Sequence, residues 1–193
     1  PLFHLASNFL GKRLIKELNA TELFLLASAL YGHDWGMAVN NSEKMNIVRE
    51  WPKEDHGTCG SVNERLRFHN FAVEHGHVFE GEIDPDHVPI QLWREYVRQT
   101  HALRSGERIR RHFETIDTGV SLRLAQICES HYLDYEVLRD PNKYPVYGSI
   151  LGEYVNIRAI AIYVRMVDLL DLADNRTPYI IWEFVAPRDP QSR

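Results

Sequence analysis

Four helical stretches of this 193-residue chain end an apolar stripe in a group suited to metal chemistry. His33-Asp34 follows Leu26 and Leu30 in the stretch Leu23–Met37, LFLLASALYGHDWGM. His101 follows Trp93 and Val97, His131 follows Leu124 and Ile127, and Asp168 follows Ile157, Ala161 and Val164. An imidazole or carboxylate on a buried stripe is costly unless it is hydrogen-bonded, paired or coordinated. One such group has an ordinary explanation; four helices doing the same thing imply side chains that converge on one central cavity, as helical bundles do when they build metal sites. Imidazole with carboxylate and no thiolate suits manganese, iron, cobalt, nickel or magnesium. Such an ion polarises a phosphoryl oxygen and turns bound water into a nucleophile near neutral pH.

The elements that must position these groups are helices. Residues 1–18 read as an amphipathic helix with Leu10, Leu14 and Leu18 on one side. Asn19-Ala-Thr-Glu22 has the form of a capping box, opening a helix that carries Leu23, Leu26, Leu30 and His33. Adjacent residues on a helix diverge by about 100°. His33 and Asp34 therefore reach one ion only if the helix ends there, and Gly36 allows the chain to turn. Residues 40–85 hold Asn40-Asn41, Trp51-Pro52, Gly57, Gly60 and Gly81, and read as an irregular insertion or lid containing one helix near 61–75. A helix from Pro85-Asp86 carries His101 and is expected to break or bend at Ser105-Gly106. A further helix covers Ser121–His131, a loop follows at Asp140-Pro141 and Tyr144-Pro145, and a long helix from near Glu153 to Thr177-Pro178 carries Asp168. Tyr179–Val185 reads as a short strand or extended tail. Strand signals elsewhere are weak, so the class is all-α.

Composition narrows the rest. With 44% hydrophobic and 25% charged residues the chain is an ordinary globular sequence, and no apolar run is long enough for a membrane span. A formal charge of -5, with Arg108, Arg110 and Arg111 as the one dense basic cluster, disfavours nucleic acid as a partner. Cys59 and Cys128 form no disulfide or zinc framework, so a reducing cytoplasm is the expected compartment. The chain starts at Pro1 without a signal-peptide pattern, and is expected to be a single domain, 1–193, excised from a longer protein.

The ordered set resembles the HD superfamily of metal-dependent phosphohydrolases. The residues that carry the resemblance are His-Asp-Trp-Gly-Met at 33–37, Thr-His-Ala-Leu-Arg-Ser at 100–105, Glu-Ser-His at 129–131, Val-Asn-Ile-Arg at 155–158 and Val-Asp-Leu-Leu-Asp-Leu-Ala-Asp-Asn-Arg-Thr-Pro at 167–178. The nearer likeness is to a subgroup whose His-Asp pair is followed by Gly-Met and which often sits beside ATPase or effector modules. The resemblance implies an HD-type helical bundle with a central site for one or two divalent ions: manganese, magnesium, iron, cobalt, nickel or zinc. It implies His33, Asp34 and Asp168 as central metal ligands and His4 as the upstream ligand. His101 and His131 would bind a second metal or act on the substrate, and the spacing leaves those roles open. Arg104 and Arg158 are candidates for holding a phosphate, because guanidinium pairs with phosphate oxygens bidentately.

The function expected from these residues is hydrolysis of a phosphoester by metal-activated water, with a nucleotide or cyclic nucleotide as the expected substrate. Asp34 would orient or deprotonate the water, with His101 or His131 stabilising phosphoryl oxygens or protonating the leaving group. The alternative is a non-catalytic metal- or nucleotide-binding module of a larger protein, with another domain of the same chain as partner, since fold alone does not certify activity. Plainer roles stand beside these: a hydrogen-bonded pair for His33-Asp34, a salt bridge for Asp168, carboxylate clamps for Arg104 and Arg158, a solvated face for Arg108–Arg111, and core packing for Trp35 and Met37.

Overall fold

The computed structural model describes residues 2–48, 61–79 and 83–171. Among them are eight α-helices, two short 3-10 turns and one two-stranded hairpin, so the all-α expectation holds. No described helix is long and apolar enough to cross a membrane. Cys59, Thr177-Pro178 and the Tyr179–Val185 tail lie outside the described residues. The chain divides into two compact units, Pro1–Leu30 with Asp134–Arg193 and Tyr31–Leu133.

The first unit contains α1 (Leu2–Glu17), all but the last turn of α2 (Ala20–Gly32), α7 (Tyr135–Leu138), a hairpin of β1 (Gly148–Ile150) and β2 (Glu153–Val155), and α8 (Ile157–Leu170). The capping box at the start of α2 forms as its sequence dictates: Glu22 N donates to Asn19 Oδ1 at 2.9 Å and Asn19 N to Glu22 Oε2 at 3.1 Å. The same two residues tie α2 to the hairpin. Asn19 Nδ2 donates to the Tyr154 carbonyl at 2.7 Å, and Asn156 N donates to Glu22 Oε1 at 2.9 Å. Asn156 in turn caps α8 by accepting from Ala159 N at 3.0 Å. Helix α8 buries Ile157, Ile160, Ala161, Val164 and Val167 on one stripe and packs against α1. Its start is later than the sequence suggests. Glu153–Val155 is a strand, because Leu151 (φ 52°) and Gly152 (φ 81°) both take left-handed backbone and close a two-residue hairpin between Ile150 and Glu153.

The second unit holds a 3-10 turn at Trp35–Met37, α3 (Asn41–Val48), α4 (Ser61–Glu74), a second 3-10 turn at Pro85–His87, α5 (Ile90–Phe113) and α6 (Thr118–Ser130). The described part of 40–85 is more regular than an irregular lid. Ile47 and Val48 of α3 and Phe68, Phe71 and Ala72 of α4 share one core with Leu92, Trp93 and Tyr96 of α5. Phe68 stacks on Trp93, ring centroids 4.5 Å apart, and meets Tyr96 edge-on at 5.0 Å. A second capping box starts α3: Glu43 N donates to Asn40 Oδ1 at 2.8 Å and Asn40 N to Glu43 Oε2 at 3.0 Å. Helix α5 runs unbroken through Ser105-Gly106, against the expected bend. Tertiary packing overrides the weak local propensity of the pair: Glu129 of α6 occupies the space where a Gly106 side chain would stand.

Candidate metal centre

Helix α2 ends at Gly32, and His33-Asp34 forms the turn that leads into Trp35–Met37. Asp34 has φ −99° and ψ 8°, the bridge region between helix and strand, so the two side chains escape the divergence a continuing helix would impose. His33 is buried, its Nε2 3.6 Å from Asp34 Oδ2. Its ring meets the His131 ring edge-on, centroids 5.1 Å apart.

The turn is held against α5 at very short range. Gly36 N donates to Ser105 Oγ at 2.7 Å, and a Cβ on Gly36 would stand 1.9 Å from the His101 carbonyl oxygen. Only glycine permits that approach. Arg108 donates to the carbonyls of Trp35 and Ala38 and pairs with Glu43 at the start of α3. The basic cluster is therefore not simply a solvated face, since one of its arginines clamps the turn that carries Asp34. Met37 is half exposed rather than core.

This packing brings His101 of α5 and His131, at the end of α6, to Asp34. Asp34 Oδ1 lies 3.7 Å from His101 Nε2 and 4.0 Å from His131 Nε2. The two Nε2 atoms are 2.9 Å apart. One ligand atom from each of the three residues lies within 4.8 Å of the others, a group that could hold a metal ion. The other ring nitrogens fix the tautomers. His101 Nδ1 lies 2.7 Å from the Arg98 carbonyl and His131 Nδ1 2.6 Å from the Cys128 carbonyl. A carbonyl only accepts, so each Nδ1 carries the proton and donates it. Nε2 atoms left without a proton on both rings would set two lone pairs facing one another beside a carboxylate. That arrangement is repulsive without a cation or a shared proton between them. Backbone carbonyls that orient the ring through its other nitrogen are also the usual support of metal-binding histidines. The donor set thus fits a divalent cation.

The remaining expected site residues are placed as follows. His4 is exposed on α1. Asp168 is partly buried near the end of α8, in the first unit. The Arg104 guanidinium is buried; Nη1 stands 2.8 Å from Glu64 Oε1, and Nη2 donates to the Ala38 carbonyl at 3.3 Å. Arg158 donates from Nε to the Tyr144 carbonyl at 3.1 Å and from Nη2 to the Arg139 carbonyl at 2.9 Å. Both guanidiniums act as clamps in the described structure. Ser105 and Arg108 were not legible as site residues, although Ser105 follows His101 by one helical turn, and that shared face was the available signal.

An all-α fold with a histidine–aspartate cluster at a helix end defines the class, an HD-type domain. Among known families the chain matches HD-CE over residues 2–193, and it belongs to that family. No curated protein and no solved structure matches it.

Proposed function

We propose that the protein is a metal-dependent phosphohydrolase acting on a phosphoester, with a nucleotide or cyclic nucleotide as substrate class. The observation that carries this reading is the pair of imidazole Nε2 atoms 2.9 Å apart beside Asp34, each with its Nδ1 proton already committed to a carbonyl. Membership of the HD-CE family supports it, and the Gly-Met that follows the His-Asp pair accords with the subgroup named above. Asp34, His101 and His131 would hold a divalent ion, with His33 and Asp168 as the further ligands that the family resemblance implies. A bound ion supplies Lewis acidity toward a phosphoryl oxygen and acidifies water. Asp34, half exposed, is the carboxylate available to orient an attacking water and take its proton. His101, on the more open side of the cluster, has the alternative role: where the other residues hold the ion, its Nε2 is the group to steady a phosphoryl oxygen or return a proton to the leaving group.

The test is a hydrolysis screen over nucleoside mono-, di- and triphosphates, cyclic nucleotides and an activated phosphodiester, on wild type and Asp34→Ala. Asp34→Ala is expected to keep the fold by circular dichroism and lose more than about a hundredfold in rate, exceeding what loss of an outer-sphere partner does. An unchanged rate contradicts the mechanism. Bound metal with no turnover on any substrate identifies the domain as a non-catalytic binding module instead.

A further inference from the structure

Helix α5 brings more than His101 to the metal centre. Arg104, Ser105 and Arg108 follow at i+3, i+4 and i+7, so the four residues share one face of one helix. The turn that bears Asp34 lies against that face. Trp35–Met37 is a single 3-10 turn, and Asp34 at its start makes no side-chain capping hydrogen bond. One turn of helix has little stability of its own, because nucleation fixes several residues for one hydrogen bond. The position of Asp34 is therefore set by what holds the turn from outside.

Arg108 supplies much of that hold. Its side chain is partly buried, with Nη1 donating to the Trp35 carbonyl and Nη2 to the Ala38 carbonyl at 2.7 Å. One planar fork thus grips the turn on both sides of Gly36, whose N–H is held by Ser105 Oγ. Glu43 fixes the fork in its turn. Its Oε1 accepts from Arg108 Nη2, while its Oε2 accepts from Asn40 N at 3.0 Å in the cap of α3. A lysine ammonium is a single point donor and does not reproduce a fork that spans two carbonyls and a carboxylate.

We propose that Arg108 is a positioning residue of the metal centre. By tying the Asp34 turn to the helix that carries His101, it fixes the 3.7 Å separation of Asp34 Oδ1 from His101 Nε2. The proposal rests on the metal-binding reading above. The sign of its effect is distinctive. Arg108 stands about 10 Å along the helix axis from His101, within about one Debye length at moderate salt. A guanidinium there repels a divalent cation, so electrostatics alone makes its removal tighten binding. Loss of positioning does the opposite, because Asp34 leaves its place beside the imidazoles.

The experiment is calorimetric titration of the chelator-stripped whole chain with manganese, cobalt and nickel chloride in turn. It compares wild type, Arg108→Ala, Arg108→Lys and Arg111→Ala, each checked for native circular dichroism at the assay temperature. Arg111 is exposed on the same helix, so its substitution removes a like charge and leaves the fork in place. For the ion that wild type binds most tightly, Arg108→Ala is expected to weaken affinity about tenfold or more, as removal of a group that orients a ligand does. Arg108→Lys, which keeps the charge and loses the fork, is expected to fall between Arg108→Ala and wild type. Arg111→Ala is expected to bind as wild type does or slightly more tightly. If wild type binds an ion and Arg108→Ala binds it equally or more tightly, the positioning role is overturned while the metal centre stands. Equal weakening in Arg111→Ala overturns the role as well, since the effect then does not depend on the fork. Wild type that binds none of the three ions overturns the metal centre and this proposal with it. Should Arg108→Ala fail to fold, wild-type affinity in Arg108→Lys overturns the proposal on its own.

Discussion

Gly36 shows how much of the candidate centre rests on a residue with no side chain. The turn after His33-Asp34 approaches α5 so closely that a Cβ would sit 1.9 Å from the His101 carbonyl and 2.8 Å from Ser105 N. Gly36→Ala is therefore expected to cost about 1–3 kcal/mol in urea unfolding, in the range of overpacking. Metal titration of the same variant is expected to show weakened affinity, because the turn that carries Asp34 must shift; unchanged stability and affinity would mean that the turn is free to move. Glu64 makes a second residue-scale prediction. Burial, partly opposed by Arg104, raises its carboxyl above 4.5. The native state then holds that proton more tightly than the unfolded chain, so this contribution to stability is present below pH 4.5 and is lost as pH rises through the raised value. Relative to Glu64→Gln, wild type is expected to lose stability over that rise in pH in denaturant titrations. Parallel curves for the two proteins would contradict it.

At the scale of elements, what the sequence disclosed and what it hid have different physical causes. The Asn19-to-Glu22 capping box was legible because its donors and acceptors are local. The mirror-image case at Asn40 and Glu43 uses the same logic, but Asn40-Asn41 reads equally well as a turn. The stripes ending in His33, His101 and His131 were legible because burial repeats with the helical period. Continuity of α5 through Ser105-Gly106 was not, since it depends on Gly36 on one side and Glu129 on the other, contacts far apart in sequence. The hairpin was hidden for a third reason. Its turn places Leu151 at φ 52°, where asparagine or glycine is the usual signal. Leu151 is 65% exposed, so replacing it by asparagine sacrifices no core. Leu151→Asn is expected to stabilise the protein by roughly 0.5–1 kcal/mol, part of the left-handed penalty of about 1–2 kcal/mol. A fall in melting temperature would show that leucine makes a compensating contact.

For the whole molecule, the claim that matters is that buried imidazoles and a carboxylate are tolerated because a divalent cation joins them. Family membership over residues 2–193 gives the fold and the site their setting, and the geometry that the proposed cation would account for is the pair of Nε2 atoms 2.9 Å apart beside Asp34. A ligand that binds only the folded state at a hundred times its Kd adds about 2.7 kcal/mol of stability. The most direct measurement is metal content and titration of chelator-stripped protein, comparing wild type with His131→Ala and with His87→Ala, an exposed control outside the cluster. Wild type and His87→Ala are expected to take up a divalent ion stoichiometrically and to melt at higher temperature when loaded. His131→Ala is expected to lose more than about a hundredfold in affinity, beyond the effect of removing an outer-sphere partner. Wild type that takes up no divalent ion, or His131→Ala that binds it as tightly as wild type, would contradict the account.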